Sequence, residues 1–127
     1  MIVLDTNVFS NDKFCRWLKG KNLNPLISSI TYTELLYHHL KKGKDESFTD
    51  GFLQALGVTV VPYDMEHAKI ACRKVIGKWD FKRNIRDYMI GSSAIKDDCC
   101  FVTSNVKDFE WVDKVYAPEE FMSHYEG

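Results

Sequence analysis

Oxygen-bearing side chains recur in this sequence close to short apolar segments, where strands are expected to end and helices to begin. The candidates are Asp5, Glu34, Asp87, Asn105 and Asp108. Two carboxylates about 4 Å apart repel each other by roughly 4 kcal/mol at an effective dielectric near 20. A shared rim of such groups therefore favours a bound cation, and an all-oxygen donor set selects a hard ion such as Mg²⁺ or Mn²⁺ over zinc. An ion of this kind can lower the pKa of a bound water and neutralise developing negative charge.

Helix capping is an alternative explanation for the same residues. Asp5 is placed to cap the helix that follows it, and acids in a first turn also suit the helix dipole. Three spacings resemble capping boxes, the last two with Asp in place of Glu: Thr31-x-x-Glu34, Asn84-x-x-Asp87 and Asn105-x-x-Asp108. Capping explains these spacings, but it does not explain why several strand ends collect oxygen ligands. Both interpretations stay open at this point.

Short apolar strands alternate with helical segments, which predicts a parallel sheet with helices on both faces. The predicted strands are Ile2-Val3-Leu4, Leu26-Ile27-Ser28, Val58-Thr59-Val60-Val61, Cys100-Phe101-Val102-Thr103 and Val115-Tyr116. Helices are predicted over about 7–19, 31–42, 48–56, 64–76 and 84–96, then from Pro118, with a helical turn near Asn105. The small residues from Gly91 to Ala94 are expected to let their helix lie close to the sheet. The predicted fold class is α/β, a three-layer α/β/α sandwich with a short central, mostly parallel sheet, whose ligands bind beyond the carboxyl ends of the strands.

Size and composition narrow the class of protein. The 127 residues are 45% hydrophobic and 28% charged with a formal net charge of −1, which fits one domain over residues 1–127. These values exclude a disordered, collagen-like or uniformly basic chain. The sequence begins without a secretory leader and has no run of about 20 apolar residues, so we expect a cytoplasmic protein without a membrane anchor.

Positive charge is concentrated in segment 69–86, which holds seven basic residues against one acid. The residues that we assign to substrate binding are Lys78, Lys82, Arg83, Arg86 and, as a group that can orient a phosphate oxygen, Thr103. Trp79 and Phe81 lie inside the segment and could stack on unpaired bases. The alternative is a solvated helix face, with both aromatic rings covering the core.

Four blocks of the sequence resemble the PIN domain family. They are Ile2-Val3-Leu4-Asp5-Thr6-Asn7-Val8, Thr31-Tyr32-Thr33-Glu34-Leu35, Arg86-Asp87-Tyr88-Met89-Ile90-Gly91-Ser92-Ser93-Ala94 and Thr103-Ser104-Asn105-Val106-Lys107-Asp108-Phe109. The blocks occur in the family order over residues 2–109, and the compact size most resembles VapC-type toxins of toxin–antitoxin pairs.

The resemblance implies a ribonuclease that depends on Mg²⁺ or Mn²⁺ and holds it in a pocket of four acids. Asp5, Glu34 and Asp87 match three of these acids, and all three are expected to act in catalysis and as metal ligands. Asn105 stands where the fourth acid is usual and is expected to orient a water or a phosphate oxygen, while Asp108 is the alternative metal ligand. The resemblance also implies RNA as the substrate, an antitoxin as a partner and a homodimer.

Two other functions remain open from the sequence. A PIN-like fold with a weakened site would bind RNA or a protein without cutting, and Asn105 favours that hypothesis. Another α/β phosphate enzyme is disfavoured, because the chain has neither a GxxxxGK[ST] nor a GxGxxG motif. The first helix also carries an apolar stripe of Phe14, Trp17 and Leu18, which is either core or a surface for a dimer or an antitoxin.

Overall fold

Short strands and helices alternate along the chain as the sequence predicts. The computed structural model describes residues 1–126, which form five β-strands, six α-helices and two 3₁₀ helices. The strands are β1 (Ile2–Leu4), β2 (Pro25–Ser28), β3 (Thr59–Val61), β4 (Cys100–Val102) and β5 (Val115–Tyr116). The α-helices are α1 (Asp12–Lys19), α2 (Ser29–Lys41), α3 (Glu46–Ala55), α4 (Met65–Val75), α5 (Ile85–Lys96) and α6 (Pro118–Glu126). The 3₁₀ helices are Thr6–Ser10 and Val106–Phe109.

The sheet has the strand order β3-β2-β1-β4-β5, and every neighbouring pair is parallel. The chain builds outward from β1 to β3 and then returns to place β4 on the other side of β1. The order therefore reverses between β1 and β4, and the carboxyl ends of these two strands border the crevice in which open α/β sheets bind ligands.

Helices cover both faces of the sheet, because side chains alternate between the faces along each strand. Ile2 and Leu4 belong to a core cluster that includes Phe14 of α1, whereas Val3 belongs to a second cluster with Ile90 of α5. This arrangement confirms the predicted three-layer α/β/α sandwich.

The first predicted helix is divided in two. A 3₁₀ helix ends at Ser10, and α1 begins only after Asn11, whose backbone is extended and whose side chain accepts a hydrogen bond from the Phe14 amide at 3.0 Å. An extended residue with a capping side chain starts a new helix, so a continuous helix over 7–19 was a wrong prediction.

The apolar stripe of α1 is mostly core. Phe14 and Leu18 are fully buried, and Trp17 stacks on Phe14 and meets Phe121 of α6 edge to face. Phe14 and Leu18 are therefore not available to a partner, which corrects the interface interpretation for these two residues.

Gly91 makes room for a ring rather than for the sheet. A Cβ built at Gly91 would lie 2.6 Å from Cζ2 of Trp111 and 3.2 Å from Cγ2 of Val112. Helix α5 does approach a neighbour closely at Gly91, as expected, but that neighbour is the segment that leads into β5 and not the sheet.

Within residues 1–126 no helix is both long and apolar enough to cross a membrane.

Candidate active site

Asp5 lies at the reversal point of the sheet, directly after β1. Its side chain is only 1% exposed, and it accepts hydrogen bonds from the Thr6 amide at 2.7 Å, from the Thr103 hydroxyl at 2.8 Å and from the Asn7 amide group at 3.3 Å. Thr103 follows β4, so its hydroxyl joins the carboxyl ends of β1 and β4. Thr103 is itself fully buried, and in this structure its hydroxyl positions Asp5 instead of facing a surface open to substrate.

Three of the predicted acids meet around the guanidinium of Arg86. The Nη2 atom donates to Asp5 Oδ1 at 2.8 Å and to Glu34 Oε1 at 2.7 Å. The Nε atom donates to Glu34 Oε2 at 2.7 Å, and Nη1 donates to Asp87 Oδ1 at 2.7 Å. We call Asp5, Glu34 and Asp87 the acid cluster. It joins the residue that follows β1 with residues of α2 and α5. Arg86, which the sequence predicts as a substrate ligand, is the counter-ion of the cluster in this structure.

Helix capping accounts for these acids only in part. Helix α2 begins at Ser29 with Ser28 as its cap, so Thr31 is buried inside the helix and Glu34 lies in the second turn. In the described part of the chain, Asn84 and Asn105 make no capping hydrogen bond with their side chains. Among the caps predicted for the candidate site residues, that of Asp5 is present in residues 1–126, where the carboxylate accepts from the first amide of the 3₁₀ helix. Capping therefore fails for Glu34, whereas Asp87 lies in the first turn of α5 and still suits the helix dipole.

The acid cluster carries more negative charge than one arginine neutralises. Burial raises the pKa of Glu34, but hydrogen bonds from Arg86 and Thr6 outweigh burial and lower that pKa below its ordinary value. Burial raises the pKa of Asp87, and the Asp5 charge adds to this effect, whereas Arg86 offsets part of it. Burial alone would lower the pKa of Arg86, but the carboxylates around it raise that pKa strongly. The cluster is thus suited to a further positive charge.

The donor chemistry of the cluster fits a hard divalent ion, since its ligands are carboxylate oxygens. As they stand in residues 1–126, no three carboxylate, imidazole or thiol side chains converge closely enough to hold one metal ion. The Arg86 guanidinium lies between these carboxylates, and its planar fork contacts their oxygens through three separate nitrogens. The residues therefore fit Mg²⁺ or Mn²⁺ in their chemistry, on the condition that Arg86 moves.

A cavity of about 590 Å³ adjoins the acid cluster. Glu34 and Arg86 line it together with an apolar and aromatic wall. That wall consists of Phe9, Leu35, His38, His39, Phe48 and Phe52. The cavity is larger than a metal ion requires, so it offers space for a bound chain beside the cluster.

The basic segment 69–86 divides into exposed and packed parts. The exposed cations assigned to substrate are Lys78, Lys82 and Arg83. Trp79 is 86% exposed, and the Arg83 guanidinium lies 5.8 Å from its ring centroid. Phe81 is half-buried and stacks on Tyr88 at 5.6 Å. Trp79 is therefore available for stacking on a base, whereas Phe81 packs against α5.

Comparison with known proteins agrees with this geometry. The sequence profile of the PIN domain matches residues 2–115, a range that contains the whole acid cluster. The chain belongs to the PIN domain family. The family resemblance of the sequence is confirmed, and a search of curated proteins finds no match to this PIN domain.

Solved structures share the fold of this PIN domain over nearly its whole length. A toxin–antitoxin complex from Klebsiella pneumoniae has a TM-score of 0.74 at 22% identity and covers 93% of this chain and 98% of its own. FitAcB from Neisseria gonorrhoeae has a TM-score of 0.73 at 24% identity, with 94% and 99% covered. DNA-bound VapBC from Salmonella typhimurium has a TM-score of 0.70 at 24% identity, with 92% and 97% covered. At these identities the likeness concerns the fold.

The two candidates for a fourth ligand lie in different surroundings. Asn105 is exposed and lines the cavity beside the acid cluster, and its backbone amide donates to the Thr103 hydroxyl at 3.0 Å. Asp108 is also exposed but lines a separate cavity of about 160 Å³ with Lys78, although its charge contributes to the raised pKa of Asp87. The roles of both residues stay predictions.

Two further residues of this PIN domain belong to the site and were not singled out from the sequence. The Thr6 hydroxyl donates to Glu34 and accepts from Arg86 at 3.1 Å. The Asn7 side chain donates to Asp5 and accepts from the Ser104 amide at 3.0 Å. Both lie in the block that follows β1, and their position next to Asp5 was the signal that could have indicated them.

Proposed function

We propose that this PIN domain is a ribonuclease that depends on Mg²⁺ or Mn²⁺ and acts as the toxin of a toxin–antitoxin pair. The observation that carries the proposal is the convergence of Asp5, Glu34 and Asp87 on one cation where the strand order reverses. Membership of the PIN domain family supports nuclease chemistry at this position.

Asp5 and Asp87 would hold the metal, with Glu34 completing the site, and Asp108 is the further candidate ligand. When bound, the ion supplies an activated water and neutralises charge that develops on the phosphate. Glu34 borders the cavity, so its carboxylate can orient the attacking water by accepting a hydrogen bond. The Thr103 and Asn7 side chains keep Asp5 in a single orientation. The Asn105 amide would orient a water or a phosphate oxygen at the rim of the cavity.

Single-stranded RNA would be held by the exposed part of the basic segment. Lys78, Lys82 and Arg83 can contact phosphates, and the exposed Trp79 ring can stack on a base. The basic segment leads directly into α5, which carries Asp87. An RNA molecule bound along this segment would therefore be directed toward the acid cluster.

The toxin role rests on the comparisons of fold. The matched structures include a toxin–antitoxin complex and a VapBC complex, so we propose an antitoxin protein as the partner of this chain. The homodimer and the cytoplasmic location expected from the sequence are parts of the same proposal.

Cleavage of a labelled single-stranded RNA with and without divalent ions tests the proposal. We expect cleavage in Mg²⁺ or Mn²⁺, none in EDTA, and a loss of about 100-fold in the Asp87→Asn variant. Asp97→Asn is a matched control, because Asp97 is an exposed aspartate at the other end of α5. Cleavage that persists in EDTA, or that Asp87→Asn leaves at the wild-type rate, contradicts the proposal. A DNA strand of the same sequence, tested in parallel, shows whether the 2′-hydroxyl matters.

A weakened, non-cutting RNA-binding module is the second candidate, favoured by the amide at Asn105. It predicts that wild-type protein binds RNA without cutting it under any divalent ion. Asn105→Asp would then tighten Mn²⁺ binding by adding a carboxylate at the cavity rim. Metal-dependent cleavage by the wild-type protein removes this candidate.

A further inference from the structure

Arg86 engages most of the oxygens that a metal would need. Its three nitrogens contact Asp5 Oδ1, both carboxylate oxygens of Glu34 and Asp87 Oδ1, at 2.7–2.8 Å. These are four of the six carboxylate oxygens of the acid cluster. A fifth, Asp5 Oδ2, already accepts from the Thr103 hydroxyl. A divalent ion bound to the same carboxylates would lie close to the guanidinium charge, and the two cations would repel each other.

The Arg86 side chain also has a route out of the cluster. It is 36% exposed, and it lines the 590 Å³ cavity next to Glu34. A guanidinium binds phosphate with the same forked geometry with which it binds carboxylate. A phosphate in the cavity would therefore offer Arg86 an anion to replace the carboxylates that it leaves.

We propose that Arg86 competes with the divalent ion for the acid cluster and that a phosphate group of bound RNA releases it. This inference rests on the proposed metal site and adds a positioning role for Arg86. In the absence of RNA the acids are bridged by Arg86 and the metal binds weakly. With RNA in the cavity, Arg86 turns to the phosphate and the acids close on the metal. Metal and RNA then strengthen each other's binding by the same factor, as thermodynamic linkage requires.

The first test measures the affinity for Mn²⁺ alone, by calorimetry on purified full-length protein without RNA. We expect Arg86→Gln to bind Mn²⁺ at least 10-fold more tightly than wild type, because the internal competitor is gone. Arg16→Gln is the matched control, since Arg16 is an exposed arginine on α1, and it should bind Mn²⁺ as wild type does. Arg86→Lys keeps one charge without the fork and should lie between wild type and Arg86→Gln.

The second test measures coupling, using fluorescence anisotropy of a ten-nucleotide RNA with 2′-O-methyl groups and phosphorothioate linkages, which resists hydrolysis. Saturating Mn²⁺ should raise the RNA affinity of wild type and of Arg16→Gln by about 10-fold, and that of Arg86→Gln by less than 2-fold. Thermal unfolding provides a check on the fold, because Arg86→Gln leaves three carboxylates without their counter-ion. Mn²⁺ should raise its melting temperature by more than it raises that of wild type.

The outcomes separate this inference from the proposed function. If wild type binds Mn²⁺ and Arg86→Gln binds it no more tightly, the competition is refuted while the metal site stands. If wild type and Arg86→Gln show the same Mn²⁺ effect on RNA affinity, the release by phosphate is refuted. If neither protein binds Mn²⁺, both the metal-dependent function and the competition fail.

Discussion

Two substitutions of Asp5 should separate the chemistry of the site from the stability of the fold. In Asp5→Asn the amide oxygen can keep the hydrogen bonds from the Thr6 amide and Arg86, and the amide nitrogen then faces the Thr103 hydroxyl, which can turn to accept. The long hydrogen bond from the Asn7 amide group is lost, because it donates to the same atom. The change converts a charge-assisted hydrogen bond into a neutral one, a loss of about 1–2 kcal/mol. Weaker repulsion from Glu34 and Asp87 offsets part of this loss. We expect the free energy of unfolding to change by less than about 2 kcal/mol.

Asp5→Ala should behave differently. It removes the acceptor for the Thr6 amide, the Thr103 hydroxyl and one Arg86 nitrogen, in a site where Asp5 itself is hidden from water. A buried donor left without a partner costs about 1–3 kcal/mol, so the Thr6 amide and the Thr103 hydroxyl together lower the free energy of unfolding by at least about 2 kcal/mol. The Arg86 nitrogen keeps Glu34 as an acceptor and adds little to this loss. A loss of this size is a large part of the roughly 5–15 kcal/mol that keeps a domain folded.

Denaturant unfolding and cleavage of single-stranded RNA in Mn²⁺, measured on both variants, check this reasoning. We expect Asp5→Asn to be nearly as stable as wild type and to cleave at least about 100-fold more slowly, since it loses a charged ligand. We expect Asp5→Ala to be clearly less stable. Wild-type cleavage by Asp5→Asn would refute the site assignment. Equal destabilisation by both substitutions would refute the role of the hydrogen bonds.

Three further predictions concern the surface, the packing and the pH dependence. Lys82→Glu combined with Arg83→Glu should weaken RNA binding and reduce the slope of log affinity against log salt concentration by roughly 2. Fluorescence anisotropy at several salt concentrations measures this slope. An unchanged slope would show that these two residues do not contact RNA. Gly91→Ala should lower the free energy of unfolding by about 1–3 kcal/mol, because the added Cβ lies 2.6 Å from the Trp111 ring. The fluorescence spectrum of Trp111 should shift as the ring moves. A Gly91→Ala variant with the same free energy of unfolding as wild type would contradict this steric clash. Asp64 caps α4, and a backbone N–H of that helix holds the pKa of the Asp64 carboxyl below its ordinary value of 3.8. The ionised cap therefore stabilises the wild-type fold fully above pH 3.8, and this stabilisation is lost as the pH falls through the lowered pKa. Asp64→Asn keeps the cap without titrating, so its melting temperature should fall less steeply than that of wild type below about pH 4, and parallel curves would refute the assignment.

The position of Asp5 could be predicted from the sequence because it depends on local signals. Ile2, Val3 and Leu4 form a short apolar strand, and a polar residue directly after it must lie at the carboxyl edge of a parallel sheet. The same reasoning placed Thr103 as the last residue of its predicted strand, whereas β4 ends one residue earlier, at Val102. What local signals do not contain is the strand order, and it is the pairing of β1 with β4 that brings these two side chains to 2.8 Å.

Glu34 and Arg86 show where sequence reasoning stops. The spacing of Thr31 and Glu34 resembles a capping box, which predicts a helix that begins after Thr31. The N-cap of α2 is instead Ser28, three residues earlier. Glu34 therefore lies in the second turn, where its carboxylate contacts Arg86 of α5. Arg86 belongs to a segment with six excess positive charges, which predicts a cationic surface but not which side chain turns inward. Its direction is decided by carboxylates that lie 52 and 81 residues away in the sequence.

The hydrogen bond between Thr103 and Asp5 also has a consequence for the order of folding. It joins residues 98 positions apart in the sequence. Closing so long a loop costs conformational entropy before the contacts between β1 and β4 can stabilise the closed chain. The hydrogen bond that orients Asp5 therefore exists only after β4 has paired with β1, when four fifths of the chain has been made. A partly synthesised or partly folded chain can hold the three acids without this hydrogen bond, so Asp5 takes its final orientation only once β4 has joined the sheet.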